Sequence, residues 1–112
     1  MPLARFLVLL LSLSAFALGS AVHAADPSYT LTIKNHVFEP AELQVPAGQK
    51  LRLVVKNTDP TPEEFDSADL KREKVIPGRS EATIMIGPLK PGTYKFVGEF
   101  HESTAKGVLV AK

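Results

Sequence analysis

Hydrophobic and polar residues alternate along much of this chain with the two-residue period of β-strands. Residues Tyr29–Lys34 alternate apolar and polar positions, which predicts a strand with one buried face. The stretch Leu51–Val55 is a nearly continuous apolar run and predicts a strand buried on both faces. The remaining predicted strands are 38–45 (with an edge or bend at Pro40), 82–86, 93–100 and 108–110.

Turn-forming residues separate these strands at short intervals. The predicted connections are Asn35-His36, Pro46–Gln49, Asn57–Pro62, Pro77-Gly78 and Gly87–Gly92. No stretch carries an apolar stripe of three helical turns, although Ser67–Lys74 is long enough for one turn. This order of elements predicts an all-β domain, either a sandwich or a barrel.

The first 24 residues have the features of a secretory signal peptide. Arg5 supplies a positive start, Phe6–Leu18 is an apolar core broken by serines, and Val22-His23-Ala24 suits a cleavage site. The apolar run is too short to span a bilayer comfortably. We therefore expect a signal peptide at 1–24 and one small domain at 25–112 that is exported to the periplasm and does not span the membrane.

Charge and cysteine content exclude several classes of protein. The chain has 13 Lys and Arg and 12 Asp and Glu, and Arg5 is the one charged residue before position 25, so the remainder is formally neutral. A neutral domain without a basic stripe is a poor nucleic-acid binder. The absence of cysteine excludes disulfides, a thiol nucleophile and a lipoprotein anchor. No nucleophile elbow or phosphate-binding glycine loop is present, so we do not expect an enzyme.

Several short segments resemble, in their order, those of a small cupredoxin. The segments are Phe38–Pro40, Val45–Gly48, Asn57–Asp59, Pro77-Gly78 and Leu89–Phe96. The resemblance implies a cupredoxin-like Greek-key β-sandwich. Two further segments, Thr61–Ser67 and Gly98–Gly107, resemble the cupredoxin-like domain of the EfeO type. That resemblance implies a stand-alone periplasmic component of a bacterial ferrous-iron transport system built around an iron permease.

The resemblance also locates the positions at which cupredoxins bind copper. The two histidine positions are Glu63 and His101, the cysteine position is Gly98, and the methionine position falls at Ala105. A type 1 copper centre needs two histidines and a thiolate, usually with an axial methionine. Only His101 remains of that set, so a type 1 site and blue-copper electron transfer are rejected.

Carboxylates surround the positions where the copper ligands are missing. The candidate metal ligands are Glu63, Glu64 and Asp66 on one loop and Glu99, His101 and Glu102 on another. If the second segment is extended, Glu99 and His101 lie on the same side with Phe100 opposite. Such oxygen-rich ligands with one imidazole suit iron, manganese or Cu(II) and are poor for Cu(I). Converging carboxylates also repel one another, which favours a cation among them.

Two functional hypotheses follow. In the first, the domain is a metal-binding accessory in bacterial iron uptake that holds an iron or copper ion. In the second, these acidic residues are solvated, His101 holds its loop by hydrogen bonds, and the domain is a metal-free module that docks an iron permease or a periplasmic iron-transport partner. Iron oxidation assisted by a copper-bearing partner is a third possibility.

His36 is predicted to lie in a surface turn outside the site, and Phe100 to lie in the core.

Overall fold

The structure is a computed structural model that describes residues 26–112; the predicted signal peptide lies outside this range. The elements are β1 (Ser28–Lys34), β2 (Val37–Glu39), β3 (Glu42–Val45), β4 (Leu51–Asn57), β5 (Glu63–Ser67), β6 (Arg72–Ile76), β7 (Ser80–Ile86), β8 (Gly92–Gly98), a 3-10 helix (Glu99–His101) and β9 (Lys106–Ala111). No helix between residues 26 and 112 is long and apolar enough to cross a membrane. The all-β prediction is confirmed.

The strands form two sheets that pack face to face. One sheet has the order β2-β1-β4-β7, and the other has the order β3-β9-β8-β5-β6. Neighbours β4 and β7 are separated in the chain by the hairpin β5–β6, which belongs to the other sheet. Two neighbouring pairs, β1–β4 and β3–β9, are parallel and therefore joined by long connections. This crossing between sheets gives the predicted Greek-key sandwich.

Apolar side chains from both sheets meet in one core. Phe38 of the first sheet contacts Phe65 and Phe96 of the second edge to face, with ring centroids 6.2 and 5.0 Å apart. All three rings are buried. The stretch Leu51–Val55 is buried at alternate positions rather than on both faces, because residues 26–112 place no layer over the outer face of its sheet. The prediction of a fully buried strand there is wrong.

The hairpin β5–β6 is not evident from the hydrophobic pattern. Its second strand is exposed at four of its five positions, so it lacks the alternation that marks a strand. The turn between its strands is held by Ser67, whose Oγ donates to the Lys95 carbonyl and accepts from the Leu70 N–H. The possible helical turn at Ser67–Lys74 is therefore wrong.

The ends of β1, β4 and β8 and the beginning of β5 lie at one end of the sandwich. The predicted strand 93–100 stops at Gly98, and the chain then turns into the 3-10 helix. Phe100 consequently leaves the core and is 49% exposed, contrary to the prediction. The candidate ligands Glu63, Glu99 and His101 lie at this end, whereas Asp66 lies further along β5.

Candidate metal centre

Glu63 is a buried carboxylate at the first position of β5. Its side chain is 1% exposed. Oε1 accepts hydrogen bonds from the backbone N–H groups of Glu64 and Phe100, at 3.0 and 2.9 Å. Oε2 lies 2.5 Å from Nδ1 of His101. Both oxygens therefore have partners, as burial of a carboxylate requires.

His36 lies beside His101, in the two-residue turn between β1 and β2. The two imidazoles stack with ring centroids 3.6 Å apart and an interplanar angle of 14°. Asn35 and His36 both have positive φ, at 52° and 59°, as a type I′ hairpin turn requires. The prediction of a turn is right, but the prediction that His36 lies outside the site is wrong.

Asp59 fixes this turn from the β4–β5 loop. Its two carboxylate oxygens accept the N–H groups of Asn35 and His36, at 2.8 and 2.9 Å. Oδ2 also lies 3.4 Å from Nδ1 of His36. Burial acts to raise the pKa of Asp59, but these N–H groups and, to a smaller extent, electrostatic attraction to His36 and His101 outweigh it and lower the pKa below its ordinary range. Asp59 is thus ionised and positions the His36 backbone.

Asn57, at the end of β4, holds the loop that carries Asp59. Its amide donates to the carbonyl oxygens of Thr61 and Ile76, at 2.8 and 3.2 Å. Its Oδ1 accepts the N–H of Asp59 at 3.1 Å. The loop between β4 and β5 is therefore tied to both sheets, although it contains no regular structure.

Three side chains converge at this end of the sandwich: His36, Glu63 and His101. We call them the inner cluster. Each offers one ligand atom, and these atoms lie within 4.8 Å of one another. Two nitrogen or oxygen ligands of one small metal ion lie at most about 4.2 Å apart, since each bond is about 2.1 Å long. A small side-chain movement would therefore bring all three donors onto one ion.

A second group, the outer cluster, contains Glu64, Glu73 and Glu99. Their carboxylate oxygens also lie within 4.8 Å of one another. A hydrogen bond that protonated Glu64 shares with Glu73, partial burial and the negative charge of Glu99 raise the pKa of Glu64 to about 7. Glu64 directly follows Glu63 on β5, so the two clusters are close together. Because neighbouring residues of a strand point to opposite faces, Glu64 faces away from the inner cluster.

The structure separates the predicted ligands into groups. It brings Glu63 together with His101, and Glu64 together with Glu99. Glu99 and His101 do not share a cluster, because the 3-10 helix replaces the extended segment on which that expectation depended. Asp66 lies further along β5, and Glu102 is exposed after the 3-10 helix; neither belongs to the two clusters.

The donor set of the inner cluster does not fit a type 1 copper ion. The chain contains no cysteine and therefore no thiolate. Two imidazoles and one carboxylate instead match the ligand types of non-haem iron and of Cu(II). The methionine position predicted from the resemblance is Ala105, which is fully buried and offers no ligand atom.

The fold and these positions define a cupredoxin-like domain without a thiolate. The sequence matches the family described as "Cupredoxin-like domain" over residues 5–111, and the chain belongs to that family. It is 45% identical over 80 residues to the uncharacterized protein RP394 of Rickettsia prowazekii (strain Madrid E). That alignment covers 71% of this chain and 64% of the relative, so the chain spans less than two thirds of the relative's length.

Solved structures of copper proteins share the fold. Auracyanin A, a "blue" copper protein from the bacterium Chloroflexus aurantiacus, superposes with a TM-score of 0.67 and 16% identity, covering 79% of this chain and all of that one. The metal-binding domain, with Cu(I), of the Cu(I)-exporting P-type ATPase CopA of Streptococcus pneumoniae gives a TM-score of 0.64 and 17% identity, covering 76% and 84%. At these identities the likeness shows the fold, which confirms the predicted cupredoxin-like sandwich.

Proposed function

We propose that the protein is a periplasmic metal-binding accessory in bacterial iron uptake and that it holds an iron or copper ion at the inner cluster. The observation that carries this proposal is the convergence of His36, Glu63 and His101, whose potential ligand atoms lie within 4.8 Å of one another. The domain binds its ion without catalysing a reaction. Its export and its place in iron uptake rest on the leader-like first 24 residues and on the resemblance to the EfeO-type domain.

The chemistry of the inner cluster favours a cation. Glu63 and Asp59 place two carboxylates around two imidazoles, and neutral imidazole with carboxylate is a donor set that suits iron and Cu(II). Oδ2 of Asp59 lies near Nδ1 of His36, and carboxylates commonly support metal-ligating histidines through the ring nitrogen that does not bind the metal. His36 and His101 are partly exposed, at 41% and 30%, so an ion has access from solvent.

Metal binding at this site must compete with protons. In the absence of metal, Glu63 Oε2 and His101 Nδ1 share a hydrogen bond of 2.5 Å, and an ion that takes these atoms as ligands displaces the proton between them. We therefore expect the apparent affinity to fall as the pH is lowered through the histidine range. The structurally related domains described above bind copper according to their descriptions, which is consistent with metal binding by a domain of this fold.

Isothermal titration of the metal-free domain with Cu(II), Fe(II), Fe(III) and Mn(II) tests the proposal. We expect binding of iron or copper that weakens at least about tenfold in Glu63→Gln and in His101→Ala, since each change removes a ligand. Glu102→Gln is the matched control, because Glu102 is exposed and lies outside both clusters. Equal affinity in the wild type and in a Glu63→Gln/His101→Ala double variant would overturn the metal-binding proposal.

The role in iron uptake has its own test. Deletion of the gene in its native host should lower the uptake of radioactive iron, and expression of Glu63→Gln should fail to restore it. The wild-type protein should appear in the fraction released by osmotic shock. Normal iron uptake in the deletion strain would contradict this role without affecting the metal-binding result.

A metal-free docking module is the alternative function. It is favoured by two exposed apolar side chains beside the inner cluster: Val37, which follows His36, and Phe100, which precedes His101; they are 38% and 49% exposed. Exposed apolar groups of this kind are common in contacts between proteins. Phe100→Ser separates the alternatives, because a docking module would lose iron uptake with this change whereas metal affinity would stay the same.

A further inference from the structure

We infer that Glu63 determines the metal preference of the site by filling the space into which a side chain at position 98 would project. This inference rests on the proposed function, since it concerns which ions the inner cluster accepts. Glu63 then has two effects: it supplies an oxygen ligand, and it prevents a thiolate ligand from being placed at Gly98.

Gly98 is required by lack of space and not by backbone conformation. Its φ and ψ are −90° and 107°, an extended conformation that any residue adopts. A Cβ atom built on Gly98 would lie 2.7 Å from Cδ of Glu63, 2.9 Å from its Oε1 and 2.7 Å from Cβ of Ala105. These distances are too short for carbon–carbon and carbon–oxygen contacts, so a larger residue at 98 needs its neighbours to move.

Neither neighbour moves easily. The Glu63 carboxylate is held by two backbone N–H groups and by His101, and it is buried. Ala105 is buried as well, and its carbonyl accepts the N–H of Gly98 at 2.8 Å, which fixes the distance between the two segments. The three residues Glu63, Gly98 and Ala105 therefore fit together as a unit in which only one of the positions 63 and 98 can carry a ligand.

This unit commits the site to nitrogen and oxygen donors. Cu(I) prefers sulfur ligands, whereas iron and Cu(II) accept imidazole and carboxylate. A thiolate cannot be introduced by a single substitution at position 98, because the carboxylate of Glu63 stays in its place. We expect a thiolate site to form only when the side chain at position 63 is shortened at the same time.

The steric part is tested on the metal-free protein by thermal unfolding. Gly98→Ala should lower Tm by about 10 °C in the wild-type background, because it overpacks a buried site. The loss should be about half as large in a Glu63→Asp or Glu63→Ala background and smallest when Ala105→Gly is added. Gly92→Ala on the same strand is the control, since its Cβ would have its nearest neighbour at an ordinary 3.8 Å. Equal losses in the wild-type and Glu63 backgrounds would overturn the inference.

The metal preference is tested with Co(II), whose thiolate complexes show a charge-transfer absorption in the near ultraviolet. We expect this absorption in Glu63→Ala/Gly98→Cys/Ala105→Gly and not in Gly98→Cys/Ala105→Gly, since Ala105→Gly removes the second clash from both variants. Ser103→Cys, which adds an exposed thiol near the site, is the control for adventitious binding. Full absorption in Gly98→Cys/Ala105→Gly would show that Glu63 does not exclude a thiolate.

These results are distinguishable from failure of the proposed function. If the wild-type protein binds no metal, the proposed function fails, while the Tm comparison still decides whether Glu63 and Gly98 exclude each other. If the wild type binds iron or Cu(II) but the Tm losses are equal in all backgrounds, the function stands and the role of Glu63 in metal preference is lost.

Discussion

His36 occupies a position of a hairpin turn that favours glycine, because its backbone has a positive φ. A two-residue type I′ turn needs positive φ at both central residues, and residues other than glycine, asparagine and aspartate adopt it at a cost. Here two N–H bonds to Asp59 hold the strained backbone in place. Strained residues that are held in this way concentrate at functional sites.

Replacing His36 with glycine should separate stability from metal binding. His36→Gly relieves the positive φ but removes the stack on His101, so we expect the free energy of unfolding to change by less than about 1 kcal/mol. Metal affinity should fall about 100-fold, since a ligand is lost. Urea unfolding and isothermal titration measure the two quantities.

Asn35→Gly is the matched control for this change. It alters the neighbouring position of the same turn and leaves the backbone N–H group to Asp59 and all three donors of the inner cluster in place. We expect its metal affinity to equal that of the wild type. A similar loss of affinity in Asn35→Gly and His36→Gly would mean that the turn geometry, and not the imidazole, is responsible.

Single residues of the site differ in how well the sequence predicts them. Glu63 and His101 are predicted because their positions match ligand positions of a known family. His36 and Asp59 are missed because they meet only through the parallel pairing of β1 with β4, which sequence spacing does not reveal. A histidine in a two-residue turn was a usable sign, since glycine is the residue that this position favours.

At the scale of elements, β5 distributes neighbouring glutamates to opposite faces of its sheet. Glu63 points inward to His101, and Glu64 points outward to Glu73 and Glu99. The sequence analysis predicts Glu63 and Glu64 on one loop beside Glu99 and His101 on a second loop, as a single site, and does not include Glu73. The two-residue period of a strand gives the separation once β5 is recognised as a strand.

The outer cluster should make stability depend on pH. The pKa of Glu64 is raised to about 7 in the folded protein, so the folded state binds more protons than the unfolded state between about pH 4 and 7. Stability from this group therefore falls as the pH rises through that range. Glu73→Gln removes the main cause of the shift and should flatten this dependence.

Urea unfolding of the wild type and Glu73→Gln at a series of pH values from 4 to 8 measures this effect. The variant should gain stability relative to the wild type as the pH rises. Glu102→Gln, which removes a carboxylate outside the clusters, should run parallel to the wild type. Parallel curves for Glu73→Gln and the wild type would contradict the coupling between Glu64 and Glu73.

At the scale of the whole molecule, a few aromatic contacts join the two sheets. Phe38 packs edge to face on Phe65 and Phe96 from the opposite sheet. A domain of this size has a net stability of roughly 5–10 kcal/mol. Phe38→Ala should therefore remove about 3–5 kcal/mol, a large fraction of the total, by opening a cavity between the sheets.

The free energy of unfolding, measured in urea by circular dichroism, checks this expectation. Val75→Ala is the control, because Val75 is 49% exposed on β6 and its loss should change stability by no more than about 0.5 kcal/mol. A change below 1 kcal/mol in Phe38→Ala would show that the two sheets do not depend on this contact.

The architecture was more predictable than the site. Alternation in β1 and the turn residues between strands indicate an all-β chain, because one-sided burial imposes that pattern directly. The strand β6 was missed because it lies at the edge of its sheet with four exposed residues, so burial imposes no pattern on it. The 3-10 helix was missed because three residues are too few to show a period.

The parallel pairing of β3 with β9 determines when the five-stranded sheet is completed during folding. It joins Glu42 to Val108, so the five-stranded sheet closes only after almost the entire chain is available. Pairings over such separations form slowly, because a long loop must close first. The donors His36, Glu63 and His101 are likewise far apart in sequence and meet only in the closed sandwich. Simultaneous binding of one ion by all three donors therefore requires the closed sandwich.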